Sequence, residues 1–539
     1  MPRSKLRWAQ QGQPLMRGGT GSSALAVLAG AMQAASLAWP ISLSPGWSAI
    51  GLERGQTAWW VSWLALAMFA ALIDACATPR AAVRVAAGFA LAQFGCALAW
   101  VFVSLHTYGG MPPAMAVASV LALAAGLAVY QVLVCAWYVR AAPPSPLLRA
   151  LLLSALWMLA ELCRGTLWSG FGWGAVGYAQ IDGPLAPWIP WVGVYGTGAL
   201  AVAIAALSAR LLAARTWQTV GASPMSMLTL LLALCIAPYL ADMPSTQSAG
   251  ELSVRLLQGN IPQDEKFDAR RGIPQSLQWY AAALFRSPAA LTLTPETAIP
   301  VLPRRLPPGY WRELADHYAQ TQRVALVGIT LGDMEAGYTN SVVALGMPWQ
   351  YDKHHLVPFG EFTPVPFAWF REMLHIPYGD FERGPLPQPP LTYQGQRIAA
   401  SICYETLFPE EMAASFSHAA RAPTILANLS NLGWFGEHLA MDQHLHIARV
   451  RAREFARPLL LVTNTGRTVV IDHTGHVRHA AAPHTATVLD ATVQGRTGLT
   501  PYAWWMGQWG LLPLWVLGLL GMLAPGLRAL PMHQKRDSA

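Results

Sequence analysis

The chain is short of charge. Asp, Glu, Lys and Arg together make up 12% of its 539 residues, against 54% hydrophobic residues, whereas an ordinary soluble domain carries about a quarter charged residues. With a mean hydropathy of +0.33, a protein soluble throughout is excluded and much of the chain must sit in lipid. The formal net charge is +8, yet the basic residues are scattered in ones and twos between apolar segments. That distribution fits positive-inside topology better than a phosphate-binding face, so nucleic acid is not an expected partner. Basic tracts, zinc-knuckle spacings, internal repeats and low-complexity tails are all missing from the sequence.

Cysteine is scarce as well. Five of the six (Cys76, Cys96, Cys135, Cys163 and Cys235) fall in long apolar segments, where a thiol is usually a small buried hydrophobe. Cys403 ends the run Ala399-Ala400-Ser401-Ile402 and is followed by Tyr404 and Glu405. With no cysteine near enough for a metal knuckle and no soluble disulfide partner, it is either a nucleophile or an inert core residue.

Apolar stretches of roughly membrane-spanning length run from Ser22 to Leu43, Trp59 to Cys76, Ala86 to Leu105, Pro113 to Val139, Leu151 to Gly170, Trp188 to Leu212, Met225 to Ala241 and Ala503 to Leu527. This predicts a polytopic α-helical membrane bundle of about eight transmembrane helices, the first being an uncleaved span rather than a signal peptide. Arg3, Lys5, Arg7 and Arg17 precede the first span. Arg80 with Arg84, Arg140 with Arg149, Arg210 with Arg215, and Arg528 with Lys535 and Arg536 then recur on the same side. The expected topology has both termini in the cytoplasm and the long insert in the periplasm. The expected division is a membrane region over residues 1–243 with about seven helices, an extracytoplasmic domain over 251–499, and a last helix with its tail over 500–539. Glu161 and Arg164, three apart on one helical face, read either as a structural ion pair or as part of a lipid entrance. Gly170 to Gly174 is too glycine-rich for a helix centre and predicts a re-entrant or interfacial loop.

From about Glu251 to Thr497, short β-rich runs alternate with longer helical or loop-like stretches. Strands are expected at Ser253 to Leu257, Ala289 to Leu293, Val324 to Ile329, Ser341 to Leu345, Ile398 to Ile402, Thr424 to Ala427, Leu459 to Val462 and Thr468 to Ile471. Helices are expected at Pro274 to Phe285, Pro307 to Gln322, Phe408 to Ala420 and Met441 to Phe455. The pattern is that of one α/β domain. Glu296, Lys353 and Cys403 each follow one of those strands, where active groups gather in α/β sheets. A thiol that attacks an acyl carbonyl, a carboxylate that takes its proton and a lysine that faces the oxyanion fit one reaction. Singly, the carboxylate and the lysine would read as loop charges.

In that order and context the three residues resemble the Glu-Lys-Cys triad of the nitrilase (carbon-nitrogen hydrolase) superfamily. Leu257 to Gln263, Asn428 to Asn431 with Gly433 to Gly436, and Arg451 to Glu454 leading to Asn464-Thr465-Gly466 agree with it. With flanking helices, the Leu356 to Glu361 stretch and the Glu161/Arg164 segment, the whole chain resembles the bacterial apolipoprotein N-acyltransferases. The resemblance implies an αββα sandwich outside the inner membrane and a ping-pong reaction without metal or cofactor. Cys403 takes an acyl chain from a phospholipid as a thioester and passes it to the α-amino group of a diacylglyceryl-modified apolipoprotein. Glu296 is then the general base and Lys353 the oxyanion stabiliser, with Glu361, Tyr404 and Glu405 in supporting positions. Thr294 and Phe267 stand where the family usually has tryptophan, and Leu432-Gly433 where it has Asp-Ala, which leaves donor preference open.

Two rival readings remain at this point. One is a membrane-tethered amidase or nitrilase in which water takes the acyl group. The other is a transporter or scaffold with an inactive nitrilase-like domain, which would be expected to lack a triad residue. Pro364 to Phe370 reads either as an apolar lid over the thioester or as a loop packed on the domain.

Overall fold

Alternating apolar residues in the second half of the chain build two six-stranded sheets. The computed structural model describes residues 20–42, 45–213, 246–364, 380–437 and 439–527, together with 229, 232–237 and 239. The first sheet holds β1 (Gln247–Gln258), β2 (Leu291–Leu293), β3 (Val324–Asp333), β4 (Gly337–Leu345) and β5 (Gln350–Asp352). The second holds β6 (Leu391–Tyr393), β7 (Gln396–Ile402), β8 (Ile425–Ser430), β9 (Leu459–Thr463), β10 (Val469–Ile471) and β11 (Val477–Ala480). A final strand, β12 (Thr487–Thr497), returns to the edge of the first sheet beside β1. The orders are β12-β1-β2-β3-β4-β5 and β11-β10-β9-β8-β7-β6. Strands β1 to β3 are mutually parallel, as are β7 to β9, and the outer pairings are antiparallel.

Side chains two apart face the same way, so each strand serves two cores. Val254, Leu256, Val324 and Leu326 meet Ile425, Ala427, Leu429, Leu460 and Val462 of the other sheet. Each fully buried Val, Leu or Ile among them contributes about 1.5–3 kcal/mol. The intervening Ala325, Val327 and Ile329 pack instead with residues of two outer helices, Gly272–Phe285 and Tyr310–Thr321. Leu426, Leu459 and Leu461 turn the other way, into a core that also contains Phe94, Tyr195 and Tyr502 from the helical part. The second sheet therefore shares its outer core with the membrane segments.

In chain order the helices are α1 (Thr20–Leu37), α2 (Trp59–Asp74), α3 (Pro79–Ala97), α4 (Pro113–Ala141), α5 (Pro146–Thr166) and α6 (Ile189–Ala213). Within the sandwich come α7 (Gly272–Phe285), α8 (Tyr310–Thr321) and α9 (Leu439–Phe455), followed by α10 (Pro501–Trp509) and α11 (Leu512–Leu527). Pro79 opens α3 behind a Thr78 cap whose Oγ1 accepts the Ala81 N–H at 3.2 Å, the usual chemistry of a helix start. Among the described residues three helices are long and apolar enough to cross a membrane: Pro113–Ala141, Pro146–Thr166 and Ala186–Ala213. The number rises to five if two bent pairs each make one span, Pro79–Ala97 with Val101–Tyr108 (58°) and Pro501–Trp509 with Leu512–Leu523 (91°). Helices α1 and α2 are apolar but shorter.

Several expectations shift. The stretch Ala503 to Leu527 is not one straight helix but breaks at Gly510, where φ is 55°. Tyr502, Ala503 and Met506 are buried against the catalytic domain, which holds α10 across the direction of α11. The helix expected from Phe408 runs only from Pro409 to Ala413 and tightens into a 3-10 turn as Phe416 stacks on Phe455 at 4.6 Å. The terminal basic residues, Arg215, most of Met225 to Ala241, and residues 365–370 of the expected lid lie outside the described residues.

Helix α9 is the element the sequence disguises. It carries Asp442, Gln443, His444, His446, Arg449, Arg451 and Glu454, and all seven are buried. Each finds a polar partner, mostly from the membrane side, as buried polar groups must. Gln443 Oε1 accepts from Trp100 and Trp173, at 3.2 and 2.6 Å, and its Nε2 donates to the Ala97 carbonyl at 3.2 Å. His446 bonds to the Gly55 carbonyl at 2.7 Å, and Arg449 forks onto Asp182 at 2.5 and 2.8 Å. Glu454 accepts the Val194 N–H at 2.7 Å and pairs with Arg451 at 2.5 Å. This helix joins the sheet to the bundle.

Candidate active site

Glu296 stands just past β2. The Thr294 N–H still bonds to Leu326 at 3.0 Å, but Pro295 has no N–H to continue the ladder and the chain turns, with Thr297 at φ +50°. The turn passes close over β3 at Gly328, where an added Cβ would lie 2.3 Å from the Pro295 carbonyl oxygen. Only glycine admits that approach. The Glu296 carboxylate is 9% exposed and accepts from Asn340 Nδ2 at 2.8 Å, Lys353 Nζ at 3.3 Å and the Asn431 N–H at 3.0 Å.

Lys353 follows β5, a short edge strand inserted after β4, rather than β4 itself. Its backbone N–H bonds across to the Asn340 carbonyl at 2.8 Å. The ammonium sits 2.9 Å from Glu361 Oε1. Glu361 is fixed in turn by Asn340 Nδ2 at 2.8 Å and the Val357 N–H at 2.9 Å. Burial by itself would push the lysine pKa down, but Glu361 and then Glu296 outweigh it and hold the ammonium well above its ordinary range. Lys353 is a fixed positive charge.

Cys403 ends β7 at the entry to a 3-10 turn, Cys403–Leu407, with φ +50°. A non-glycine residue in the left-handed region costs of order 1 kcal/mol or more and must be held there. Glu405 does part of the holding. Its Oε2 accepts the Ile402 N–H at 2.6 Å and the Tyr351 hydroxyl at 2.9 Å. Its Oε1 accepts the His354 and His355 N–H groups at 2.7 and 3.1 Å. One carboxylate thus ties the cysteine turn to the segment that carries Lys353. Thr406 Oγ1 and Asn428 Nδ2 donate to the Cys403 carbonyl at 3.1 and 3.3 Å. Burial pushes the thiol pKa far up, the charge of Glu296 adds to this, and Lys353 and the Asn431 amide only partly offset it. The resting group is a neutral thiol that needs a base to act as a nucleophile.

Glu296, Lys353, Cys403, Glu361 and Glu405 thus converge. Tyr404 faces away from the carboxylates. Its hydroxyl donates to the Gly170 carbonyl at 3.1 Å, and its ring meets Phe408 at 5.2 Å. The glycine-rich segment is buried irregular backbone, with Gly170 at φ +71° and Gly174 at φ +84°. Arg164 and Glu161 hold it without pairing with each other. Arg164 Nη1 donates to the Phe171 and Trp173 carbonyls at 2.5 and 2.6 Å, while Glu161 Oε1 accepts from Val176 N–H at 2.9 Å and Trp157 at 3.1 Å. Both residues serve loop geometry rather than a direct ion pair, the first of the two readings that the sequence left open.

Four further residues belong to the cluster. Asn340 bridges the two glutamates, and nothing in its strand context marks it out. Asn431 was visible only as part of the Asn428 to Asn431 segment. Lys266, 2% exposed, donates to the Glu296 carbonyl at 3.2 Å. Burial lowers its pKa to about 8, against the opposing charges of Glu296 and Cys403. His444 lies 3.0 Å from Thr406 Oγ1 and 3.3 Å from the Cys403 carbonyl. Burial lowers its pKa to about 4, so it is neutral in ordinary buffers.

Residues 34–207 match the family model described as the apolipoprotein N-acyltransferase N-terminal domain, and residues 253–502 match carbon-nitrogen hydrolase. An apolipoprotein N-acyltransferase from Verminephrobacter eiseniae is 46% identical over 514 residues, covering 90% of this chain and 92% of the relative. The chain belongs to the apolipoprotein N-acyltransferase family. Its relatives named apolipoprotein N-acyltransferase include those of Ralstonia nicotianae, 42% identical over 87% of this chain and 90% of the relative, and Nitrosomonas europaea, 39% identical over 81% and 87%. The two sheets and their outer helices form the nitrilase-like fold that the carbon-nitrogen hydrolase match describes. Membership in the apolipoprotein N-acyltransferase family makes the chain an N-acyltransferase of lipoprotein maturation.

Proposed function

We propose that this enzyme moves a fatty acyl chain from a phospholipid to the α-amino group of a diacylglyceryl-cysteine at the N-terminus of an apolipoprotein, by way of a thioester on Cys403. The observation that carries the reading is a buried thiol under the joint influence of a hydrogen-bonded carboxylate and a fixed ammonium, in a chain of this family.

In the first half, Sγ attacks the ester carbonyl of the donor while Glu296 takes the thiol proton. Lys353 faces the oxyanion as it forms. The carbon–oxygen bond to the glycerol breaks, and Glu296 returns its proton to the leaving alkoxide, giving a lysophospholipid. In the second half, the neutral acceptor amine attacks the thioester. Glu296 takes a proton from the nitrogen, the carbon–sulfur bond breaks, and that proton restores the Cys403 thiol. An amide forms and atoms balance without an external energy source.

The domain division and the topology of eight spans, with a periplasmic catalytic domain and cytoplasmic termini in an inner membrane, complete this reading. The alternating arginines support it, as does the core shared between the second sheet and the helical part; three to five of the spans are long and apolar enough among the described residues. A site built on the membrane spares each methylene of the acyl chain a transfer into water of about 0.8 kcal/mol.

The test is to incubate the purified full-length enzyme with phospholipid and a synthetic peptide bearing an N-terminal diacylglyceryl-cysteine. The peptide gains one fatty acyl mass that resists hydroxylamine, as an amide does. Release of free fatty acid with the peptide unchanged contradicts the proposal and favours a hydrolase.

A further inference from the structure

At the end of the bundle remote from the catalytic domain, arginines fall into two groups. Helix α3 has its last residue against α9, through the Ala97 carbonyl and Gln443, so Pro79 lies roughly 25–30 Å away at 1.5 Å per residue. At that far end Arg149 and Arg210 share the single carboxylate of Asp74, at 3.7 and 2.7 Å. Arg80, Arg84 and Arg140 have no carboxylate partner among the described residues. They converge with Pro79, Val83 and Ala136 on a cavity of about 520 Å³ between α3 and α4.

Helical periodicity places exposed apolar side chains in line with this cavity, on the side toward the catalytic domain. On α3 the face of Arg80 and Arg84 continues to Leu91, and on α4 the face of Arg140 and Ala136 continues to Leu133 and Val129. Val83 and Leu91 are 37% and 39% exposed, and Val129 and Leu133 are 50% and 62% exposed. Three unneutralised guanidinium groups thus cap an open apolar seam that runs back toward the catalytic domain. Positive-inside topology accounts for arginines at this end. It does not account for three of them sharing one cavity while the nearby carboxylate, Asp74, goes to Arg149 and Arg210.

We infer that this seam is a binding site for an anionic phospholipid of the leaflet remote from the catalytic domain. The phosphate sits among Arg80, Arg84 and Arg140, and the acyl chains lie along the two aliphatic faces. Guanidinium groups suit phosphate oxygens in charge and geometry, and basic pockets between membrane helices are suited to such headgroups. The seam favours a lipid over free phosphate because it supplies a surface for the chains. This site is separate from the thiol, and the inference does not depend on the proposed acyl donor.

The experiment titrates the purified full-length protein in non-ionic detergent with dioleoylphosphatidylglycerol or dioleoylphosphatidylcholine, and counts retained lipids by native mass spectrometry. The wild type should retain one phosphatidylglycerol at a concentration roughly 10- to 100-fold below that needed for phosphatidylcholine. Arg80→Gln/Arg84→Gln/Arg140→Gln should lose that preference with acyl transfer intact, and the corresponding triple lysine variant should keep most of it. Equal retention of the two lipids by the wild type overturns the inference without recourse to any variant. A glutamine variant that keeps the preference overturns it as well, and so does displacement of the lipid by millimolar inorganic phosphate.

Discussion

The Nζ of Lys353 lies 2.9 Å from Oε1 of Glu361, nearer than the 3.3 Å that separates it from Glu296. The carboxylate that most strongly anchors the lysine is therefore not the proposed base. Such an arrangement lets Glu296 exchange protons while Lys353 keeps its charge. Glu361→Gln should slow thioester formation by about 10- to 100-fold, less than the roughly 10²–10³ lost with an entire oxyanion donor. Single-turnover acylation with saturating phospholipid checks this, and an unchanged rate would show that Glu296 alone suffices to hold the lysine.

Glu296 and Lys353 themselves should matter more. Loss of a general base costs about 10²–10⁴ in rate, and the Glu296→Gln side chain keeps the shape while removing proton acceptance. Lys353→Ala should fall in a similar range and also leaves the partly buried Glu361 without its cation, so protein yield should drop. Near-normal turnover in either variant contradicts the assigned roles.

Lys266 links the site to pH. Burial holds its pKa near 8, so its positive charge is present below that value and disappears as pH rises through it. Above about pH 8 the cluster around Glu296 and Cys403 becomes more negative, which opposes ionisation of the thiol. Thioester formation in the wild type should therefore slow on the alkaline side of pH 8. Lys266→Met should sit on the low plateau at every pH, and Lys266→Arg should stay fast with the inflection gone. A wild-type profile flat from pH 7 to 9 would contradict the assignment.

Glu405 couples pH to stability. Burial raises its pKa from 4.5 to about 7, even though the Ile402 N–H and Lys353 favour the ionised form. The native state then binds more protons than the unfolded state between those values. Its contribution to stability is fully present below about pH 4.5 and is lost as pH rises through about 7. Thermal unfolding in detergent should show the Tm of the wild type falling relative to Glu405→Gln over that interval. A difference that stays constant or grows with pH would contradict the shift.

Much of the site was legible because its chemistry-bearing residues sit at strand ends in short conspicuous contexts. Glu296, Lys353 and Cys403 could be named because each follows a short strand and because the three together, in that order and context, resemble one triad; Lys353, between Asp352 and His354, would by itself read as a loop charge. The central strands were legible because β3, β8 and β9 are buried on both faces and read as unbroken apolar stretches. The peripheral strands were not. Strands β5 and β6 are three residues long, β11 is exposed throughout, and β12 alternates across a half-exposed edge. Helix α9 was found nearly to the residue, yet its burial was invisible, because most of its polar side chains are satisfied by groups hundreds of residues away. Asn340 and Lys266 escaped for a related reason. An asparagine inside a strand and a lysine in a turn carry no local sign that three-dimensional folding brings one to the Glu296 carboxylate and the other to its main-chain carbonyl.

The central claim is that Cys403 carries the acyl group. The most direct measurement is intact mass spectrometry of the detergent-purified protein after incubation with phospholipid alone, with wild type and Cys403→Ala side by side. The wild type should gain one fatty acyl mass that hydroxylamine removes, as expected of a thioester, and the alanine variant should gain none. An unmodified wild type despite folded protein and a range of donors, or an adduct that persists in Cys403→Ala, would contradict the account.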